Sequence, residues 1–383
     1  MKKIIKFILL ITLTFLISLG NVFAKEKIKI GLLIPLSGKN SEIGQSIVKA
    51  TRLAINQINN LSIEIIPKDT ASSPEITLRS AKELEALGVK IIIGPVFNEN
   101  LIYLDELNKL IFLSLTNKDN HGSRNIINAG INATSQLNAI KKFLELKEIK
   151  NTIFLTPDVD YKNEIKKAIS SSKIKIIKNH IYSTDPTQLT KQIEIITEYE
   201  RRKQNLEDEV KRLEESDEIN KENLIEKIKK NDTLGDIKFD SIIIADFDES
   251  LKSVTTSLLY TDVSPKEKYL ITLNQWFDES LLKEISSQPL YFPSINKKNY
   301  DHFSFRYFEK YNQYPNQLSF LSFDLVGLVY YLIMQNDYII DEKIFIRKTL
   351  FKGKVGNFEI KDNKINHILN FYKVENKEFK KIF

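Results

Sequence analysis

Continuous apolar strands alternate with amphipathic helices along most of this chain, and that alternation constrains the fold more than any other feature. The stretch "IKIGLLI" runs through Pro-Leu-Ser-Gly into a helix predicted at 41–59, where Ile43, Ile47, Ala50, Ala54 and Ile58 recur at spacings of three and four and line one face. "LSIEIIP" is a second strand, followed by a helix that Pro74 opens and Gly88 stops. "VKIIIGPV", a short helix at 98–109, "LIFLSLT", "RNIINAG", a helix at 134–147, "NTIFLTP" and a helix at 161–172 continue the pattern. It resumes with "FDSIIIADFD", a helix at 249–259 and "KYLITLNQW". Two aromatic-rich helices are predicted within 297–335, then a hairpin and one more strand. Strands that are apolar along their whole length need cover on both faces, which implies mainly parallel sheets flanked by helices.

The alternation breaks at 187–235, where "TEYERRKQNLEDEVKRLEESDEINKENLIEKIKKND" is crowded with charge and has neither glycine nor proline. Leu206, Val210 and Leu213, then Leu224, Ile225 and Ile228, make narrow apolar stripes, so two charged helices with a turn near Glu215–Asp217 are expected. The plainer reading is a solvated insertion and the sharper one a partner-docking hairpin; charge patterning alone does not separate them.

Residues 1–24 read as a secretory signal peptide: Lys2, Lys3 and Lys6, an apolar run from Phe7 to Leu19, and small residues at Val22 and Ala24 before a cleavage point. No later segment has the length and apolarity to span a bilayer, so no stable membrane span is expected after cleavage. The absence of cysteine excludes disulfides, thiolate nucleophiles and a lipid-bearing lipobox cysteine. The expected product is therefore soluble in the periplasm. A formal charge of +6, three of whose lysines lie in the leader, is too mild and too well mixed with acids to argue for nucleic acid.

Chemistry-bearing motifs are sparse. There is no phosphate-cradling glycine loop, no paired histidines on a helix and no Gly-x-Ser-x-Gly elbow. His121, His180, His302 and His367 are scattered without ligand spacing and read as ordinary surface or interface residues. Asp246 and Asp248 frame a strand end; they suit an acid–base pair, or Asp248 simply caps the following helix, and Asp158 and Asp160 read the same way. No catalytic residue, metal site or cofactor is expected. The sequon Asn132-Ala133-Thr134 reads as chance. In parallel sheets, ligands sit beyond the carboxyl ends of the strands. Those ends are Ser37-Gly38, Phe97-Asn98 and Thr116-Asn117. Trp276 and Tyr161 stand beside the same region, as aromatics that stack on a ligand or as packing between lobes. The aromatics at 303–311 (Phe303, Tyr307 and Tyr311; Phe305 and Phe308) have helical spacing and read as core.

"IKIGLLIPLSG…IGQSIVKATRLAI", "VKIIIGPVFNEN", "IFLSLTN", "SFDLVGLVYYL" and the closing "GNFEI…NHILNFYKV", in this order, resemble the type 1 periplasmic-binding-protein family, which includes binders of branched-chain amino acids. More narrowly, "YERRKQNLE", "TLGDIKFDSIII", "TLNQWFDESL" and "HFSFRYFEKYNQYPNQLSFLSFDLVGL" resemble penicillin-binding protein activators. The resemblance implies an α/β fold of two lobes joined by three crossovers. Lobe one is expected at 27–133 plus 288–345 and lobe two at 134–287 plus 346–383, with the charged helical-hairpin insertion 187–235 inside lobe two. It implies a non-enzymatic exported binding protein that supports peptidoglycan synthesis through contacts with a peptidoglycan synthase. The alternative is the substrate-binding protein of an ABC importer, with an ABC permease as partner and amino acids or small peptides as cargo.

A small polar ligand is expected in the cleft. The resemblance places small hydroxyl residues and backbone N–H groups against an amino-acid carboxylate; here Phe97 and Asn98 follow "GP" instead of serines. Ser37, Asn98 and Thr116 remain as hydrogen-bonding groups, Lys118 faces a carboxylate or solvent, and Asp246 is the candidate for the ligand's ammonium. The candidate cleft residues are thus Ser37, Gly38, Phe97, Asn98, Thr116, Asn117, Asp158, Tyr161, Asp246 and Trp276.

Overall fold

The computed structural model describes residues 27–58, 63–118, 123–273, 276–337, 339–340, 342–346, 348–361 and 364–383. The leader 1–24 and His121 lie outside them. The first sheet is built from β1 (Ile28–Ile34), β2 (Ile63–Asp69), β3 (Ile91–Ile93), β4 (Ile111–Ser114) and β5 (Ile126–Asn128) in the order β2-β1-β3-β4-β5, parallel throughout. Helices α1 (Ser41–Ile58) and α2 (Pro74–Ala86) connect its first strands. Alternate residues of β1 serve opposite faces: Ile30, Leu32 and Ile34 join a core with Ile47, Ala50 and Ala54 of α1, and Leu33 joins one with Ala81 and Leu84 of α2. That two-sided burial is why the strand is apolar along its length. The helix predicted at 98–109 is a single 3₁₀ turn, Asn98–Leu101.

The chain then crosses to α3 (Ala133–Leu146), β6 (Thr152–Pro157), α4 (Lys162–Ser172), β7 (Lys178–Tyr182) and α5 (Pro186–Ile196). Asn132 is buried and its Oδ1 accepts the Ser135 N–H at 2.8 Å, so the sequon asparagine is a helix cap. Helix α5 buries Leu189 and Ile193 against the second core, so residues 187–196 cover the sheet and are not part of the insertion. The insertion proper is α6 (Tyr199–Glu214) and α7 (Lys221–Ile228), with the turn near the expected place. Its root is fixed by Arg202, which is buried and donates to the carbonyls of Thr197 (3.0 Å) and Thr261.

After the insertion come β8 (Ser241–Ile244), α8 (Asp248–Tyr260), β9 (Tyr269–Thr272) and β10 (Leu290–Ser294). These strands join a second sheet ordered β15-β14-β10-β9-β8-β6-β7, closed at one end by the antiparallel β14 (Asn370–Glu375) and β15 (Glu378–Lys381). Because β10 stands in this sheet, the second crossing follows Ser294 and does not occur at 288. Helices α9 (Lys297–Tyr311) and α10 (Ser319–Gln335) return to pack on α1, through hydrogen bonds such as Ser46 Oγ to Ser319 Oγ at 2.7 Å. Phe303 and Tyr307 are core, as their spacing predicts; Phe305 and Phe308 are exposed on the outer face of α9.

The predicted tail 346–383 divides. β11 (Thr349–Lys352), β12 (Asn357–Lys361) and β13 (Lys364–Ile368) form a small antiparallel sheet of their own, so only β14 and β15 join the second lobe. Two buried polar residues fasten the small sheet. Asp324 of α10, 3% exposed, accepts the N–H groups of Lys354 (2.8 Å), Val355 (3.1 Å) and Gly356 (2.7 Å) in the β11–β12 turn. His367 of β13, 5% exposed, donates from Nε2 to the Ala129 carbonyl at 2.8 Å, and its N–H donates to Ser135 Oγ at 3.1 Å. His367 is therefore a buried clasp between the third and first crossings, not a surface residue. Next to it, Gly130 lies so close to Thr116 that a Cβ would sit 2.2 Å from the Thr116 carbonyl oxygen.

Candidate functional site

The carboxyl ends of both parallel sheets face a cleft with two adjoining cavities of about 490 and 470 Å³. Both are lined by Asn117, Lys118, Trp276 and Gln317, so they are two bays of one space. In the first bay, the second lobe supplies Tyr161, Glu164, Phe247, Asp248, Leu273, Trp276 and Asp278, and Ala133 stands where the first crossing enters α3. In the other, the first lobe supplies Phe97, Asn98 and Thr116. A cavity of about 640 Å³ on the far side of lobe one lies at the amino ends of β3 and β4, beside Val89, Lys90 and Ile111, where parallel sheets do not place ligands.

Tyr161 precedes α4; its ring is half-buried and stacks on Phe247 with centroids 6.4 Å apart. Its hydroxyl donates to the Ala245 carbonyl at 3.3 Å, and burial first, then the charge of Asp246, pushes its pKa up to about 12. Trp276 both lines the two bays and packs edge-on against Phe320 of α10, 6.2 Å between centroids, so the two roles read from the sequence coexist. Thr116 is buried, and its Oγ1 accepts the Lys118 N–H at 3.2 Å, shaping the loop that carries Asn117 and Lys118. The Asn98 Oδ1 is buried beside the second bay with no hydrogen-bond partner among the described residues.

Four predicted residues are not brought to these cavities. Ser37 and Gly38 line neither bay. β1 and β2 run in register to Ile34 opposite Asp69, which places the Asp69 carboxylate under the following turn. Ser37 Oγ donates to Asp69 Oδ2 at 2.5 Å, and the N–H groups of Leu36 and Ala71 donate to Oδ1 at 2.7 and 2.8 Å. Burial raises the Asp69 carboxyl, but these donors outweigh it and hold it below the usual range. The turn is thus an exposed connection fastened from below. Gly38, at φ +73° with open space around it, is there for backbone conformation.

Asp246 is 4% exposed and accepts the Tyr182 hydroxyl at 2.6 Å and the Phe247 N–H at 3.0 Å, beneath the cleft wall. Burial pushes its pKa up, and the charge of Asp248 adds to the rise. Asp158 is exposed and pairs with Lys162 one helical turn on. Neither Asp158 nor Asp248 caps a helix through its side chain.

Phe247, Asp248, Glu164, Asp278 and Gln317 line the cleft without having been singled out as binding residues. Glu164 had a signal, since it lies three residues after Tyr161 on the same helical face. Phe247 and Asp248 had one as well, standing just past a strand end as Phe97 and Asn98 do. Nothing local marks Gln317 or Asp278. The described residues hold no group of three or more His, Cys, Asp or Glu arranged for a metal, and no helix among them is long and apolar enough to cross a membrane.

The family model described as periplasmic binding protein matches residues 27–194. No curated protein matches the chain by sequence. Among solved structures, the C-domain of LpoA from Haemophilus influenzae, a regulator of PBP1A, is 15% identical with a TM-score of 0.61, covering 93% of this chain and 100% of that one. The leucine binding protein LivK from Thermotoga maritima is 14% identical, with a TM-score of 0.56 and coverage of 93% and 98%. An ABC-transporter solute binding protein from Rhodopseudomonas palustris, solved with 3,4-dihydroxybenzoic acid, is 17% identical, with a TM-score of 0.56 and coverage of 93% and 96%. Identities this low show a shared fold, so the chain carries the periplasmic-binding-protein family signature at residues 27–194 and has the two-lobed type 1 periplasmic-binding fold throughout its described length.

Proposed function

We propose that the protein is an exported, non-catalytic binding protein of the penicillin-binding-protein-activator kind, acting in the periplasm through contacts with a peptidoglycan synthase. The observation that carries this reading is the α6–α7 hairpin. Helix α7 buries none of its residues, Ile219 between the helices is 100% exposed, and Leu224 is exposed as well. A helix that contributes nothing to a core has no folding reason to be there, and apolar side chains held in water on a charged hairpin suit a partner's surface. The likeness to the LpoA C-domain gives this fold a precedent in a regulator of PBP1A. The test is a pull-down from periplasmic extract with the intact protein and with Ile219→Glu/Leu224→Glu, which leaves the root at Arg202 intact. Capture of a synthase by the first and its loss from the second is the expected result; equal capture by both, or by neither, overturns the assignment.

A second reading, the substrate-binding protein of an ABC importer, is favoured by the cleft itself, whose cavities take walls from both lobes. A ligand touching both lobes favours the closed form by its differential affinity, and hinge closure is the form a permease reads. Its contacts would come from Asn98, Asn117, Tyr161 and Trp276 among the residues named from the sequence. A thermal-shift screen over the amino acids tests it, because a ligand at 100 times its Kd adds about 2.7 kcal/mol. A response identifies the cargo; a flat screen counts against transport of amino acids.

A further inference from the structure

We propose that the cleft selects an organic cation: a small ligand bearing an ammonium or guanidinium group, held by the second lobe, in preference to a ligand carrying only a carboxylate. The inference rests on the cleft being a ligand site, and it adds the charge class that the site takes.

Among the described residues, the first bay carries Glu164, Asp248 and Asp278 against the single cation Lys118. The acids stand together with Tyr161, Phe247 and Trp276 in the same bay. Asp278 is fixed in place by donations from the Ser280 N–H and hydroxyl at 2.8 and 2.7 Å. Asp248 makes no hydrogen bond or ion pair to another described residue, although it begins a helix at a left-handed φ of +51°. A pocket with acidic walls and low-dielectric sides concentrates cations, and aromatic rings add attraction through their negative faces. A bare carboxylate meets the opposite field and has one lysine to answer three acids. Lys118, on the opposite wall, leaves room for a ligand that is zwitterionic but cationic overall.

The test is calorimetric and thermal-shift titration of the intact mature protein, freed of co-purified ligand by partial unfolding and refolding, against arginine, cadaverine, leucine and benzoate. Arginine or cadaverine should bind at least tenfold more tightly than benzoate, with leucine between them, and the preference should shrink as salt rises. Asp248→Asn and Glu164→Gln should each weaken the cation tenfold or more, Phe247→Ala should do so without changing the salt dependence, and Asp158→Asn, outside the bays, should leave it unchanged. Benzoate or leucine binding more tightly than both cations overturns the charge class while leaving the cleft as a ligand site. No response to any of the four probes overturns the ligand site as well.

Discussion

The crossing segments and the cleft both lie where the lobes meet, yet they dispose of charge in opposite ways. Among the crossings, Asp324 and His367 are sealed from water and answered by backbone groups: three N–H donors for the carboxylate, one carbonyl for the imidazole. In the cleft, Lys118 and Asp248 stand on the walls of an open space. A buried polar group satisfied by the chain fixes geometry, because removing either partner strands the other. A wall charge costs little to keep and is available to a ligand. The comparison separates residues that hold the lobes from residues that recognise something between them.

The largest effect should come from breaking the first kind. Asp324→Ala leaves three N–H groups without an acceptor next to α10, and should lower the unfolding free energy by about 3–5 kcal/mol in urea titrations at pH 7. A loss below about 1 kcal/mol, within the range of ordinary surface changes, would mean that the β11–β12 turn is not fastened as described.

Titration should sharpen the same contrast. Burial raises the Asp324 carboxyl to about 6, against the pull of the Gly356, Val355 and Lys354 N–H groups and the Lys354 charge. Burial lowers His367 to about 4, opposed by its hydrogen bond to Ala129. A carboxyl that binds its proton more tightly when folded contributes stability that is complete below its unfolded pKa near 3.8 and is lost as pH rises through about 6. An imidazole that binds its proton less tightly when folded contributes stability that is present above 6.5 and is lost as pH falls through about 4. Each contribution has a ceiling of about 3 kcal/mol at 1.36 kcal/mol per pH unit. They oppose each other between pH 4 and 6.5, so together they leave the intact protein's denaturant midpoint nearly flat there. His367→Gln should become more stable, relative to the intact protein, as pH falls across that window, and Asp324→Asn less stable. Parallel profiles for the two variants would show that these groups are not buried as a pair of opposite clasps.

Smaller still should be the structural cost of changing the cleft wall. Phe247 is 54% exposed and its ring contact is the stack on Tyr161. Phe247→Ala should change the urea midpoint by no more than about 1 kcal/mol equivalent, while removing part of the recognition surface. A loss as large as that of Asp324→Ala would make Phe247 a packing residue and dissolve the distinction between the two regions.

How much of this was legible in the sequence follows from which distances the signals span. Most strands and helices of both lobes are written in local periodicity, though β7 and β10 were not read from it, and so is the position of Asn117 at a strand end and of Tyr161 at a helix start beside the cleft. What escaped depends on register or on one-residue parity. Ser37 is a hydroxyl at the right strand end, but its fate is set by Asp69, thirty-two residues away and brought beneath it only because β1 and β2 align. Asp246 and Asp248 are two residues apart; the first turns under the sheet to Tyr182 and the second begins a helix on the cleft wall. Alternation says that such neighbours differ in surroundings, but at a strand's last residue it does not say which one faces the ligand. β10 was misplaced for a related reason, because whether the chain has left a sheet is decided by its partners β9 and β14.

The smallest effect is expected at the hairpin, and its smallness is the informative part. Ile219→Glu replaces a fully exposed apolar side chain that touches no core, so unfolding should change by less than about 0.5 kcal/mol, and solubility should rise. If stability instead fell by several times that, Ile219 would have to be packed within the protein and could not also be a surface for a partner. If stability holds while synthase capture is lost, the hairpin sorts with the cleft wall: a region whose apolar and charged groups are kept for recognition, on a scaffold whose own buried titratable groups are locked away at Asp324 and His367.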